Sequence, residues 1–167
     1  MLTLVKFPNP ILRQRMPDFD FNNPIMDPVE LEKEMLEIMF AADGIGLAAN
    51  QIDINARVFV MGHRDNPEAA QAFFNPVILA NKEEIADMEE GCLSFPGIYV
   101  KIKRPTAIKA RWQNSQGEFE EGEFDGYNCK CFLHEYDHLE GITFQDRVST
   151  LKWAMAVKKT KVKRKHK

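Results

Sequence analysis

The sequence predicts an α+β fold. Two stretches of helical periodicity, near residues 28–40 and 125–140, flank a series of strand-like runs, and two of those runs alternate apolar with polar residues as half-buried antiparallel strands do. The chain's 167 residues, 44% hydrophobic and 28% charged, have the balance of one globular domain. At that length roughly 70% of the unfolded surface can be buried, so a core forms without a disulfide framework. Three cysteines, an odd number, fit free thiols in a reducing compartment. No apolar run approaches the ~20 residues of a membrane span, and MLTLVKFPNP lacks the apolar core and cleavage site of a secretory signal. The expected location is cytoplasmic; an organelle matrix or a virus-infected host cytoplasm satisfies the same constraints.

Residues 1–27 are punctuated by Pro8, Pro10, Pro17 and Pro24, which predicts an extended, looping lead-in with little helix. At Asp27-Pro28-Val29-Glu30, Asp27 can cap, Pro28 suits the first helical position and Glu30 suits a capping box. Leu31, Met35, Ile38 and Met39 then recur at helical spacing to about Phe40, with Asp43-Gly44 as the exit. The β-branched and aromatic runs 57–62 and 73–80 read as strands joined by a loop, HRDNPE. In 98–103, Ile98, Val100 and Ile102 alternate with Tyr99, Lys101 and Lys103; 107–112 resumes after Arg104-Pro105, and 114–123 gives a turn and an acidic strand. Asp125 can cap a second helix with Leu133, Tyr136 and Leu139 on its inner side and Gly141 as its stop.

The net charge of −3 hides an uneven distribution. Residues 151–167 hold eight of the 22 Lys and Arg and no acid, leaving residues 1–150 with 14 basic against 25 acidic groups, or −11. The chain therefore divides into a body, 1–150, and a short basic C-terminal tail, 151–167, whose charge could meet RNA, an anionic surface or the body's own acids.

The second helix carries His134-Glu135-Tyr136-Asp137-His138, and residues one turn apart share a helix face. Two imidazoles can thus converge on one metal ion with Glu135 close enough to act on a water there. A catalytic site of this kind needs a third protein ligand and one open position. Position 144 is Phe, where a metzincin needs His, and no carboxylate follows Asp146, where a thermolysin-like enzyme needs a downstream Glu. The third ligand must come from upstream: Cys92, Cys129, Cys131, His63 or an acid. Cys92, in Glu90-Gly91-Cys92-Leu93-Ser94, presents a thiol on a Gly-flanked segment beside the free N–H of Leu93, which suits ligation and oxyanion binding. Cys131 faces the same side as His134, whereas Cys129 points elsewhere. Gly44-Ile45-Gly46-Leu47-Ala48-Ala49-Asn50-Gln51 allows close backbone approach and adds an amide donor at Gln51; with no Lys-Ser or Lys-Thr behind the glycines, it is no phosphate loop.

GIGLAANQ, EGCLS and HEYDH, in that order and about 40 residues apart, resemble the signatures of the peptide deformylase family over residues 1–150. EGCLS is similar to the type 1 branch, and FPGIYVKIKRP to its organellar-like subgroup. The resemblance implies antiparallel β-sheets around a central helix bearing the two histidines, a catalytic deformylase domain over 1–150, and removal of formate from the formyl-methionine of nascent polypeptides. It further implies Cys92, His134 and His138 as ligands of one divalent ion, Fe²⁺ favoured over Zn²⁺, Ni²⁺ or Co²⁺. A thiolate and two neutral imidazoles leave such an ion one net positive charge, enough to activate a water. In that scheme Glu135 moves the proton, and Gln51 with the Leu93 N–H holds the oxyanion. Ile45, Gly46 and Gly91 match positions beside the bound peptide, Cys131 one beside the methionine pocket, and Glu90 an acid position that supports the ligands. Asn50 and Lys130 depart from the family pattern; Lys130 stands where an apolar pocket residue is usual. Family members often end in a ribosome-docking helix, so Lys158 to Lys167 is expected to attract ribosomal RNA. A monomer and no membrane contact complete the expectation.

Overall fold

The computed structural model describes residues 2–166. In chain order the elements are α1 (Pro28–Ala41), β1 (Gly46–Ala48), β2 (Val58–His63), β3 (Asn66–Asn81), β4 (Ile85–Cys92), β5 (Phe95–Pro105), β6 (Ala107–Gln113), β7 (Phe119–Asp125), α2 (Gly126–Leu139) and α3 (Thr150–Lys165). Single 3₁₀ turns at Pro10–Arg13, Ala49–Ile52 and Phe144–Arg147 link them. Five antiparallel strands form one sheet in the order β1-β2-β3-β6-β7, and β4 with β5 forms a separate hairpin.

The large sheet is covered on both faces, which is why Val58, Phe59 and Val60 form an unbroken apolar run. Phe59, Phe73, Ala110 and Trp112 face α2 and meet Phe132, Leu133 and Leu139. Val58, Val60, Ala72 and Phe74 face α1 and meet Leu31, Met35 and Met39. Phe132 seats α2 by standing edge-on to Phe59, with ring centroids 5.0 Å apart. A third cluster, Phe95, Val100, Ile102, Phe144 and Ala156, with Trp153 against it, joins the β4-β5 hairpin to α3. No helix among the described residues is long and apolar enough to cross a membrane.

Helix α1 begins with the expected Asp27 cap, whose carboxylate accepts from the Val29 and Glu30 N–H groups, but the Glu30 side chain does not complete a capping box. Two further expectations, the HRDNPE loop and the Asp125 cap, are corrected, and the strand partners, β4 and the helix in the tail are added. HRDNPE is not a loop: β3 starts at Asn66, paired opposite His63, in a segment so exposed that its alternation carries no apolar signal. The runs around 98–103 and 107–112 do not pair with each other; β5 pairs with β4, and β6 with β3 and β7, because the chain changes sheet at Pro105-Thr106. Strand β4 was masked by its acidic residues. Asp125 occupies the N-cap of α2 without a capping side-chain bond. The basic tail forms α3, capped by Ser149 and held by Trp153 and Ala156.

Candidate metal centre

Three elements converge on one cleft of about 320 Å³: the β1 segment, the β4-β5 turn and α2. On α2, His134 and His138 are one turn apart, their rings 5.0 Å centre to centre. Cys92 ends β4, and its Sγ lies 3.3 Å from His138 Nε2. The donor atoms of Cys92, His134 and His138 all lie within 4.8 Å of one another, the one group among the described residues placed to hold a metal ion. Of the upstream candidates, Cys92 is therefore the third donor. Cys129 turns away to the Pro105 carbonyl. Cys131 lines the cleft, but burial pushes its thiol well up, and the thiol donates to the Ile45 carbonyl. His63 sits on the surface near Asp65.

The surrounding charges fit a cation. His134 Nδ1 donates to Glu90 Oε1 at 2.8 Å, which fixes the tautomer and leaves Nε2 to ligate. Burial acts to lower the His134 pKa, yet bonds to Cys92 and Glu90 raise it well above the usual value, so in the ion-free site His134 carries a proton that a metal ion would displace from Nε2. His138 is pushed down by burial and by the neighbouring His134, so its ring stays neutral and able to ligate. Glu135 Oε2 is buried and finds no hydrogen-bond partner among the described residues, as befits a group kept for a reactant. Burial, reinforced by the charge of Glu90, raises the Glu135 carboxyl to about 7 against the lowering effect of His134 and Arg104.

The other expected residues gather here too. Gln51 Oε1 accepts from the Ala48 N–H at 2.9 Å, and its Nε2 reaches Ser94 Oγ at 3.1 Å and Cys92 Sγ at 3.5 Å. The amide is thereby oriented beside the thiol. Ile45, Gly46, Glu90, Gly91, Leu93 and Lys130 line the cleft with Glu135. A Cβ on Gly46 would stand 2.5 Å from Glu135 Oε1, and one on Gly91 would stand 2.6 Å from the Tyr99 ring, so each glycine permits a close approach. Asn50 donates to the His138 carbonyl at 2.8 Å and braces the end of α2.

Sequence reasoning missed Arg104 and Asp137. Arg104 is buried and grips Glu90 with two nitrogens, at 2.5 and 2.9 Å, while its third reaches Asp137 at 3.0 Å. Arg147 closes the chain by holding both oxygens of Asp137. The network ties β4 and β5 to α2, and with them Cys92 to the histidines. A signal was present: Arg104 has the same parity as the inward Val100 and Ile102, so it falls on the buried face of β5.

The polypeptide deformylase family model matches residues 1–154. The peptide deformylase of Thermotoga maritima is 42% identical over 154 residues, covering 92% of this chain and 90% of that one. A Legionella pneumophila peptide deformylase structure superposes with a TM-score of 0.89 at 29% identity, over 99% of this chain and 97% of that chain. A Synechococcus elongatus peptide deformylase in complex with actinonin superposes with a TM-score of 0.85 at 31% identity, over 95% and 85%. By its sequence, its fold and its Cys-His-His centre, the chain belongs to the peptide deformylase family, metal-dependent hydrolases that remove the N-formyl group from the formyl-methionine of nascent polypeptides.

Proposed function

We propose that residues 1–150 form the deformylase domain and that Cys92, His134 and His138 hold one Fe²⁺ ion in it. The observation that carries this reading is the 4.8 Å cluster of one thiol and two imidazoles beside the unpartnered carboxylate of Glu135. Soft thiolate with imidazole suits Fe²⁺, and also Zn²⁺, Ni²⁺ or Co²⁺; the family resemblance favours iron. An ion there supplies Lewis acidity, polarising the formyl carbonyl and making water a competent nucleophile near neutral pH. Glu135 takes the proton from the attacking water and delivers it to the departing amine. Gln51 Nε2 and the Leu93 N–H donate to the oxygen that gains charge. Gly46 and Gly91 let the peptide backbone approach. Ile45 and Cys131, with the Lys130 stem, take the methionine side chain, and Glu90 orients His134.

All these groups come from one chain, which supports a monomer as the active unit, and a cytoplasmic location suits a substrate emerging from the ribosome. The lysines of α3, exposed at 158, 159 and 161, support attraction to ribosomal RNA. Unchanged co-sedimentation with ribosomes at low salt after deletion of 157–167 would dismiss that contact.

The deciding experiment is formate release from a formyl-Met dipeptide by protein purified without oxygen, beside Glu135→Ala and chelated protein. Activity lost in both controls and restored best by Fe²⁺ supports the assignment. Equal or better restoration by Zn²⁺ rejects iron, and turnover that survives chelation rejects the centre itself.

A further inference from the structure

The cleft does not end at the metal-binding group. Its wall runs along the start of β5 through Pro96, Gly97, Ile98 and Tyr99, and Gly97 and Tyr99 also form one side of a second groove, whose other side is the end of α3. Thr160, Val162, Lys163 and Arg164 supply that side. The two sides are tied together: Thr160 Oγ1 donates to the Gly97 carbonyl at 2.9 Å, and Arg164 reaches the Pro96 carbonyl at 3.4 Å. The groove is thus a fixed extension of the cleft. Its floor is apolar, with Tyr99 and Val162 61% and 49% exposed, and Lys163 and Arg164 border it.

We propose that this groove takes the downstream residues of the nascent polypeptide and favours acidic over basic ones. The proposal rests on the site residues assigned above. A formylated chain enters by its formyl end, so everything after the first residue must leave the cleft. With the methionine side chain taken by Ile45 and Cys131 beside Lys130, as proposed above, the Pro96–Tyr99 lining is assigned as the exit because it alone is shared with the α3 groove, through Gly97 and Tyr99. Continuity through Gly97 and Tyr99 hands the extended chain to the α3 groove. There Tyr99 and Val162 offer sequence-tolerant apolar contact. Lys163 and Arg164, in a segment without a single acid, set the charge preference.

The test compares kcat/KM for a formyl-Met tripeptide with that for formyl-Met octapeptides carrying acidic, neutral or basic residues after the third position. The long-to-short ratio is the readout, so changes in stability or metal loading cancel. The wild-type ratio should be roughly three- to tenfold higher for acidic than for basic octapeptides, the size that one or two exposed charge pairs supply, and the difference should shrink with added salt. Lys163→Glu should abolish or invert the charge preference, Lys163→Arg should keep it, and Val162→Ser should lower the ratio for all long peptides. Equal ratios for acidic and basic octapeptides, or a preference unmoved by Lys163→Glu, would overturn the proposal. No turnover of the tripeptide by the iron-loaded wild type would overturn the active-site reading and this proposal with it.

Discussion

Glu90 accepts the Nδ1–H of His134 at 2.8 Å while Arg104 grips both of its oxygens, so a single buried carboxylate joins a metal ligand to the framework of two strands and a helix. Glu90→Gln keeps an acceptor for His134 but leaves Arg104 short of a counter-charge. Metal affinity should fall about 10–100-fold, the usual cost of losing such an orienting partner. Breaking one side of a buried ion pair should also lower stability, by about 3–5 kcal/mol. Burial would raise the Glu90 carboxyl, but the bonds from His134 and Arg104 dominate and hold it near 2 against an ordinary 4.5. A depressed carboxyl stabilises the fold fully above its unfolded value and loses that contribution as pH falls through the folded one. The ion-free wild type should therefore lose stability between pH 4.5 and about 2, and Glu90→Gln should lack that component. Competition with a chelator and denaturant melts across this range measure both effects.

Glu135 has the opposite shift, raised by burial to about 7. A general base acts when deprotonated, so kcat/KM should fall tenfold per unit on the acid side of its pKa. The positive charge of a bound ion favours the carboxylate, which places this acid limb at or below about pH 7. Glu135→Gln should abolish the limb and slow turnover about 10²- to 10⁴-fold while one metal per chain is retained. Loss of the metal instead would identify Glu135 as a ligand and remove its role in proton transfer.

Gly46 and Glu135 are packed so closely that no side chain fits between them: a Cβ would lie 2.5 Å from Oε1 and 2.8 Å from Cys131 Sγ. Gly46→Ala must push the Glu135 carboxylate out of place, because the Cys131 side is equally crowded. A misplacement of this size is expected to cost about 10²-fold in kcat, with metal content unchanged, since neither group is a ligand. Kinetics with metal analysis separate this outcome from loss of the fold; wild-type turnover in the variant would show that Glu135 need not sit where it does.

The helix-borne pair was legible because an i, i+4 spacing alone sets two side chains on one face of α2. The α1 cap was legible too, since Asp27-Pro28 acts within a single turn. Strand partners were not, because pairing is decided by distant residues: nothing local in 98–103 says that it pairs with the acidic β4 rather than with its neighbour β6. Arg104 escaped notice for the same reason. A buried arginine is tolerated only because Glu90 and Asp137 meet it, and those partners lie 14 and 33 residues away. The tail's helix was hidden by its charge, since its inward side rests on little more than Trp153 and Ala156.

Lys130 lines the cleft with its ammonium tied down by neighbouring groups. The ammonium donates to the Glu89 carbonyl at 2.9 Å and lies 4.4 Å from the centre of the Tyr127 ring, and the residue is only 9% exposed. With its head held there, the side chain offers its aliphatic stem to the wall beside Cys131. Lys130→Met should preserve that wall and leave kcat/KM for formyl-Met substrates within about threefold of wild type. Lys130→Ala removes several methylenes and should cost about 1–2 kcal/mol, or roughly five- to thirtyfold in kcat/KM, chiefly through KM. The same truncation widens the pocket, so formyl-Phe substrates should lose less than formyl-Met ones or gain. A series of formyl dipeptides differing only in the first residue measures this. If Lys130→Ala lowers kcat for every substrate alike, the side chain positions the catalytic groups and does not shape the methionine pocket.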